Sequence, residues 1–158
     1  RSAKEKGLAE TLVEMERLGE KSAAGYYRYD PQTRSRQADP EVAALIADIA
    51  AQWQVPRRVI DDEEIVDRLT LALINEGADI LAEGIAARPG DVDIVYLNGY
   101  GFPQWRGGPM FYADSLGLAT VVAKLKALRE LTADPCWEPA PLLVQLALEG
   151  RTLASLNQ

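Results

Sequence analysis

The stretch Asp61–Ala86, DDEEIVDRLTLALINEGADILAEGIA, decides the fold that we predict for this chain. It holds no proline, and its first two aspartates supply an N-cap and an acidic first turn, where unpaired backbone N–H groups favour negative charge. At helical spacing, one apolar stripe contains Ile65, Val66, Leu69, Leu73 and Ile80, and a second contains Leu71, Ile74, Ala78, Leu81 and Ile85. Because a surface helix carries a single stripe, we expect this helix to be central and packed on both sides.

Two polar residues of this helix are candidates for a site. Glu76 falls inside the first apolar stripe, where a carboxylate needs a partner or a shifted pKa. Asn75 precedes it, and the pair is either catalytic or a buried polar pair satisfied by hydrogen bonds, which is the interpretation we favour. Asp67 lies on the second stripe, and an aspartate so early in a helix ordinarily serves the helix dipole.

Composition and charge exclude several classes of function. The net charge of -7 over 158 residues argues against a nucleic-acid partner, and no apolar run approaches the ~20 residues that span a membrane. The absence of histidine excludes a Ser-His-Asp triad, a Cys-His pair and an imidazole metal site. The single Cys136 excludes an internal disulfide and favours a reducing compartment, which we take to be the cytoplasm. Because the chain starts at Arg1 rather than at methionine, we expect a piece of a longer protein.

The remaining periodicity predicts an all-α protein. We predict helices over residues 3–18, from Pro40 to before Pro56, after an Asp91 cap, from Pro109, over 118–131 and over 142–148. Glycines before the tyrosines at positions 26, 27 and 29 indicate a turn into a short extended segment. The polar stretch 31–40 is typical of a linker, so we place a domain boundary there.

The stretch Asn98–Pro109, NGYGFPQWRGGP, is the most biased in composition. Its glycines could cradle a phosphate, but a tight interhelical turn is the interpretation we favour, since no Lys or Ser/Thr follows at the right spacing. The dinucleotide fingerprint is absent because Gln104 occupies its third glycine position. Arg106 could meet an anion, although an ion pair within the chain is the more common use of such an arginine.

Motifs in combination resemble one family. The segments EEIVDRLTLALINEGADILAEGI (63–85), DVDIVYLNGYGFPQWRGGPMFYADSLG (91–117) and WEPAPLLVQLALEGRTL (137–153) resemble the second helical C-terminal domain of multifunctional fatty-acid β-oxidation enzymes, in the 3-hydroxyacyl-CoA dehydrogenase C-terminal domain family. The stretch 19–29, GEKSAAGYYRY, resembles the signature that closes the preceding copy of that domain, with Ala23 where the family usually has glycine. The resemblance implies that residues 1–38 are the tail of one copy and residues 39–158 the next copy.

The resemblance also implies where the chemistry lies. Such enzymes join enoyl-CoA hydratase and NAD-dependent L-3-hydroxyacyl-CoA dehydrogenase activities, and their catalytic histidine and NAD site lie in a separate nucleotide-binding domain. The first helical copy supplies an Asn in a V-N-R context, where this chain has Val66-Asp67-Arg68. We therefore predict no catalytic, cofactor-binding or metal residue in this chain. The structural candidates are Glu76, Asn75, Arg106, Gly99, Gly101, Pro103 and Gly107.

The same resemblance implies partners. The expected partner is the preceding dehydrogenase half of the parent enzyme. The alternatives are a module that docks a thiolase subunit and a domain that binds acyl-CoA itself through an anion pocket at Arg106. We expect Glu76 to be buried and paired with Arg106, because their motifs occur together in the family. We also expect a homodimer of the isolated chain held by apolar contacts. In the head, residues 1–38, the apolar Leu8, Leu12, Met15 and Leu18 have too little native surface to bury, so we expect the head to be mobile or to pack on the following domain or on a second molecule.

Overall fold

The structure is a computed structural model that describes residues 6–157. The chain divides into two compact units, Arg1–Val59 and Ile60–Gln158. The described residues form seven α-helices and a single two-stranded sheet, so the predicted all-α class is confirmed.

The first unit consists of two helices around a small hairpin. Its elements are α1 (Leu8–Glu14), β1 (Tyr27–Tyr29), β2 (Arg36–Ala38) and α2 (Pro40–Gln52), and the strands pair antiparallel. The short extended piece near Tyr26 is therefore confirmed, whereas β2 occupies part of the stretch that we took for a linker. Helix α1 is shorter than predicted because Met15 caps it and Glu16 turns to a left-handed φ of 58°. Residues 3–5 of the predicted helix lie outside the described residues.

Asp39 joins the hairpin to α2. Its side chain is fully buried, receives the N–H of Glu41 at 3.0 Å as the N-cap of α2, and pairs with the guanidinium groups of Arg17 and, at 3.0 Å, Arg28. The hydrogen bond from Arg17 holds the pKa of Asp39 below its usual value. Arg17 also donates to the carbonyl of Gly25, so one guanidinium fixes the turn before β1 and the start of α2.

Part of the predicted head, residues 1–38, makes packed contacts in the structure. Leu12 is buried, while Met15 and Leu18 remain exposed. The buried Asp39 side chain binds Arg17 and Arg28, which come before the predicted boundary, and the N–H of Glu41, which comes after that boundary. Burial of Leu12 agrees with the expected alternative that the head packs on the chain that follows it, and the division between the compact units comes after Val59.

The second unit is a bundle of five helices. They are α3 (Asp62–Ala82), α4 (Pro89–Gly99), α5 (Pro109–Leu116), α6 (Leu118–Thr132) and α7 (Pro141–Glu149). The starts of α5 and α6 are as predicted, and Asp61 caps α3 by accepting the N–H of Glu64. Helix α4 begins earlier than predicted, at Pro89, and Asp91 sits in its first turn paired with Arg88.

The core of the second unit forms on one side of α3. Its buried residues include Leu71, Ile74 and Ala78 from α3, together with Val121, Leu125 and Leu128 from α6, and Leu143 and Leu146 from α7. The other predicted stripe is covered only in part: Ile65 and Leu69 are 45% and 65% exposed, whereas Val66, Leu73 and Ile80 are half-buried. The prediction that α3 is packed on both sides is thus wrong at Ile65 and Leu69 within this chain.

None of the helices within residues 6–157 is long and apolar enough to cross a membrane.

Candidate functional site

Asn75 connects the middle of α3 to the segment before α7. Its Nδ2 donates to the carbonyl of Glu138 at 2.8 Å, and its Oδ1 accepts the N–H of Ala140 at 2.8 Å. A side-chain amide suits this role because its NH₂ group donates to one backbone group while its oxygen accepts from another. Both polar atoms of the buried Asn75 side chain are bound to this segment, which agrees with the satisfied polar role that we favoured for it.

Glu76 does not share this environment. It is exposed, so the prediction of a buried Glu76 paired with Arg106 is wrong. Glu76 lies on the side of α3 that also leaves Leu69 exposed. Arg106 instead stacks on aromatic rings, with its guanidinium carbon 4.3 Å from the ring centroids of both Trp105 and Tyr112.

The glycine-rich stretch is a tight connection between α4 and α5. Gly99 ends α4, Gly101 has a φ of 69°, and Pro103 precedes a 3-10 turn, Gln104–Arg106. Gly107 closes that turn at a φ of 74°, where a side chain would collide with the ring of Phe111. The interhelical turn that we favoured is confirmed.

A phosphate does not fit at the start of α5. The carboxylate of Asp93 already accepts the N–H of Met110 at 2.7 Å and that of Phe111 at 3.2 Å. A Cβ at Gly108, whose φ is 99°, would lie 2.4 Å from this carboxylate. The N–H groups that a glycine-rich loop would offer to an anionic ligand are thus filled by the chain itself.

Asp93 makes the stability of the second unit depend on pH. Burial raises the pKa of Asp93 above its ordinary value, against the opposing hydrogen bonds from Met110 and Phe111. A carboxyl group with a raised pKa in the folded state contributes stability that is complete below its unfolded pKa of about 3.9 and lost as the pH rises through the folded value.

We therefore expect wild-type protein to lose stability relative to Asp93→Asn as the pH rises from about 4, because the amide keeps an acceptor and cannot ionise. Urea unfolding of both proteins at a series of pH values checks this. A difference in unfolding free energy that stays flat, or that moves in favour of wild type as the pH rises, would contradict the assignment.

Asp67 forms an ion pair with Lys124 of α6. The Nζ of Lys124 lies 2.5 Å from Asp67 Oδ2 and 3.8 Å from Glu63 Oε1. The hydrogen bond that Lys124 donates to the Asp67 carboxylate raises the pKa of Lys124. The pair borders a pocket of about 290 Å³ that is lined on one side by apolar residues such as Leu71 and Leu128, and on the other by acidic residues of the start of α3. Because Asp67 and Lys124 hold each other, neither is available as a free base or a free anion-binding group.

Three structural residues escaped the sequence analysis. Asp93 and Asp114 cap helix starts far along the chain, Asp114 by accepting the N–H groups of Leu153 and Ala154 at 2.8 Å each. Lys124 pairs across 57 positions with Asp67. No local sequence pattern identifies such distant partners. Asp93 and Asp114 do lie beyond the first turn of their own helices, which was a signal that each carboxylate binds another element.

Within residues 6–157, no three His, Cys, Asp or Glu side chains come together in a way that could hold a metal ion. The polar candidates are divided between loop anchoring (Asn75), helix capping (Asp93) and ion pairing (Asp67). These are uses that hold elements in place.

Comparison with known proteins identifies the family. Residues 65–155 match the model of the 3-hydroxyacyl-CoA dehydrogenase, C-terminal domain. The chain is 43% identical over 145 residues to the peroxisomal bifunctional enzyme of Cavia porcellus, covering 90% of this chain and 20% of that protein. It is 37% identical over 118 residues to the fatty acid oxidation complex subunit alpha of Acinetobacter baylyi, covering 75% and 16%. The chain thus spans about a fifth of the length of these relatives.

A solved structure shares the fold. The dehydrogenase part of multifunctional enzyme 1 from C. elegans superposes with a TM-score of 0.66 at 23% identity, covering 91% of this chain and 33% of that one. Since the family model matches more than half of the chain, this protein belongs to the 3-hydroxyacyl-CoA dehydrogenase C-terminal domain family.

Proposed function

We propose that this chain is the C-terminal part of a multifunctional β-oxidation enzyme and serves it as a structural, non-catalytic domain. Residues 39–158 would be the second helical copy and residues 1–38 the tail of the copy before it. The dehydrogenase and hydratase reactions, and the NAD that the dehydrogenase step uses, would belong to other domains of the parent enzyme. The similarity to a bifunctional enzyme and to a fatty acid oxidation subunit supports this assignment.

The Asp67–Lys124 ion pair is the observation that carries the non-catalytic role. The resemblance aligns Asp67 with an amide that takes part in the chemistry of the first copy. Here a carboxylate replaces it and is neutralised by Lys124 at 2.5 Å. The chain also has no histidine to take a proton from a hydroxyl group near neutral pH.

The exposed stripe of α3 supports a packing role. Ile65 and Leu69 are apolar, exposed and one helical turn apart, so they form a continuous strip. We propose that this strip lies against the preceding dehydrogenase half of the parent enzyme, where its burial contributes roughly 25 cal/mol per Å². In the isolated chain, the same strip would drive homodimer formation.

The isolated chain is expected to have no dehydrogenase activity. Mixed with NADH and acetoacetyl-CoA, it should oxidise NADH at the buffer rate, because both the dinucleotide loop and the histidine that would donate a proton to the reduced carbonyl are missing. Asp67→Asn should stay at the same rate, since the amide alone restores neither. A competent 3-hydroxyacyl-CoA dehydrogenase added to the same cuvette is the positive control, and saturable turnover by the chain alone would refute the non-catalytic role.

A further inference from the structure

Arg106 is held by two aromatic rings and lacks an anionic partner. Its guanidinium carbon lies 4.3 Å from the centroids of Trp105 and Tyr112, and the side chain is only partly exposed. Within residues 6–157, the structure gives its side-chain N–H groups no hydrogen bond and no ion pair besides these ring contacts. The chain is rich in acidic residues, so an ordered arginine that pairs with none of those in the described part of the chain calls for an explanation.

The stacking leaves the guanidinium ready for a planar acceptor. Two rings within cation–π distance restrict its orientation while leaving its in-plane N–H donors unused. A carboxylate matches that fork with two parallel hydrogen bonds, and a donor already fixed in place loses less entropy when they form. The rings thus prepare Arg106 for a bidentate contact.

Apolar surface surrounds this cation. Trp105 is 78% exposed and Phe111 is 60% exposed, and the Phe111 ring lies beside Gly107, the residue directly after Arg106. Tryptophan and arginine are enriched among the residues that dominate the affinity of protein interfaces. A cation flanked by exposed aromatic rings is complementary to a carboxylate flanked by apolar side chains.

We propose that Trp105, Arg106 and Phe111 form a docking site for a protein partner outside this chain that presents an acidic side chain among apolar ones. The carboxylate would bind the Arg106 fork, and the neighbouring apolar side chains would cover Trp105 and Phe111. The site is independent of whether the domain is catalytic, since it uses no residue of the Asp67–Lys124 pair.

A phosphate group fits this site less well than a carboxylate. Arg106 is the single basic residue between positions 98 and 117, so no second cation is at hand in the sequence around it. The neighbouring N–H groups of Met110 and Phe111 are already bound to the Asp93 carboxylate. That carboxylate would repel a doubly charged phosphate more strongly than a single carboxylate.

The test is an NMR titration of the intact chain with acetyl-Phe-Glu-Leu-amide, using its neutral isostere acetyl-Phe-Gln-Leu-amide as the matched control. The readouts are the Trp105 indole N–H and the Arg106 Nε–H resonances. We expect the glutamate peptide to shift both with half-saturation at about 1–10 mM, and the glutamine peptide to bind at least about tenfold more weakly. Arg106→Lys, which keeps the charge and loses the fork, should weaken binding, and Arg88→Gln at a distant surface pair should not.

Three outcomes would overturn the proposal. Equal shifts by the two peptides, or none, would mean that no carboxylate site exists. Tighter binding of inorganic phosphate than of the glutamate peptide would make it a phosphate site. Shifts of Trp105 on concentrating the chain without peptide, abolished by Arg106→Gln, would make a second copy the occupant.

Discussion

Replacing Asp39 by alanine is expected to unfold the first unit, with the largest loss of stability of any single substitution there. The change removes the N-cap of α2 and the shared carboxylate of Arg17 and Arg28. Arg17 would remain largely buried with only the exposed carboxylate of Glu41 as its charge partner, and removing the buried partner of such an ion pair is strongly destabilising. We expect the unfolding midpoint of this unit to fall by on the order of 10 °C or more.

Trp53 reports on this unit alone if Trp105 and Trp137 are replaced by phenylalanine. Thermal unfolding followed by its fluorescence measures the midpoint. Asp48→Ala is the matched control, because it removes an exposed carboxylate from the same helix and such surface changes are nearly neutral. Equal midpoints for Asp39→Ala and Asp48→Ala would show that the Asp39 cluster does not hold the unit together.

The Asp39 cluster also makes the first unit sensitive to acid. The pKa of Asp39 is lowered in the folded state, mainly by the hydrogen bond from Arg17. Such a group contributes stability that is present above the unfolded pKa of about 3.9 and lost as the pH falls through the folded value. This direction is opposite to that of Asp93 in the second unit.

Replacing Asn75 by leucine is expected to cost the second unit roughly 2–4 kcal/mol of unfolding free energy. Leucine has nearly the same shape but leaves the Glu138 carbonyl and the Ala140 N–H without their partner. Urea unfolding measures the loss. The neighbouring Glu76→Gln is the matched control and should change the free energy by less than about 0.5 kcal/mol, because Glu76 is exposed.

A larger loss of unfolding free energy in Glu76→Gln than in Asn75→Leu would support the original expectation of a buried, paired Glu76. Equal effects would mean that the segment before α7 is held by its apolar contacts and not by the amide of Asn75.

Sequence reasoning was sound where the determinants are local. The acidic cap of α3 at Asp61 and the prolines that begin α2 and α5 were read correctly. Periodicity identified both apolar stripes of α3, but it cannot say whether the chain itself covers each of them. This explains the error at Glu76, whose place on a stripe implied burial only if that stripe was packed.

The polar contacts of the second unit were beyond sequence reasoning because their partners are distant. Asn75 binds backbone groups more than sixty positions away, and Asp93 caps a helix seventeen positions later. Asp39 was different, since an aspartate directly before a helix-starting proline is a local capping signal. Its arginine partners, Arg17 and Arg28, could be found only from the folded hairpin.

Thermal unfolding with and without NADH and acetoacetyl-CoA tests the central claim, that the polar residues of this domain hold its fold and serve no substrate or cofactor. A ligand that binds the folded state at a hundred times its Kd adds ~2.7 kcal/mol of stability. We predict an unchanged midpoint with either ligand up to about 1 mM for wild type and Asp67→Ala alike. A midpoint that rises with ligand in wild type, and no longer does so in Asp67→Ala, would contradict the claim.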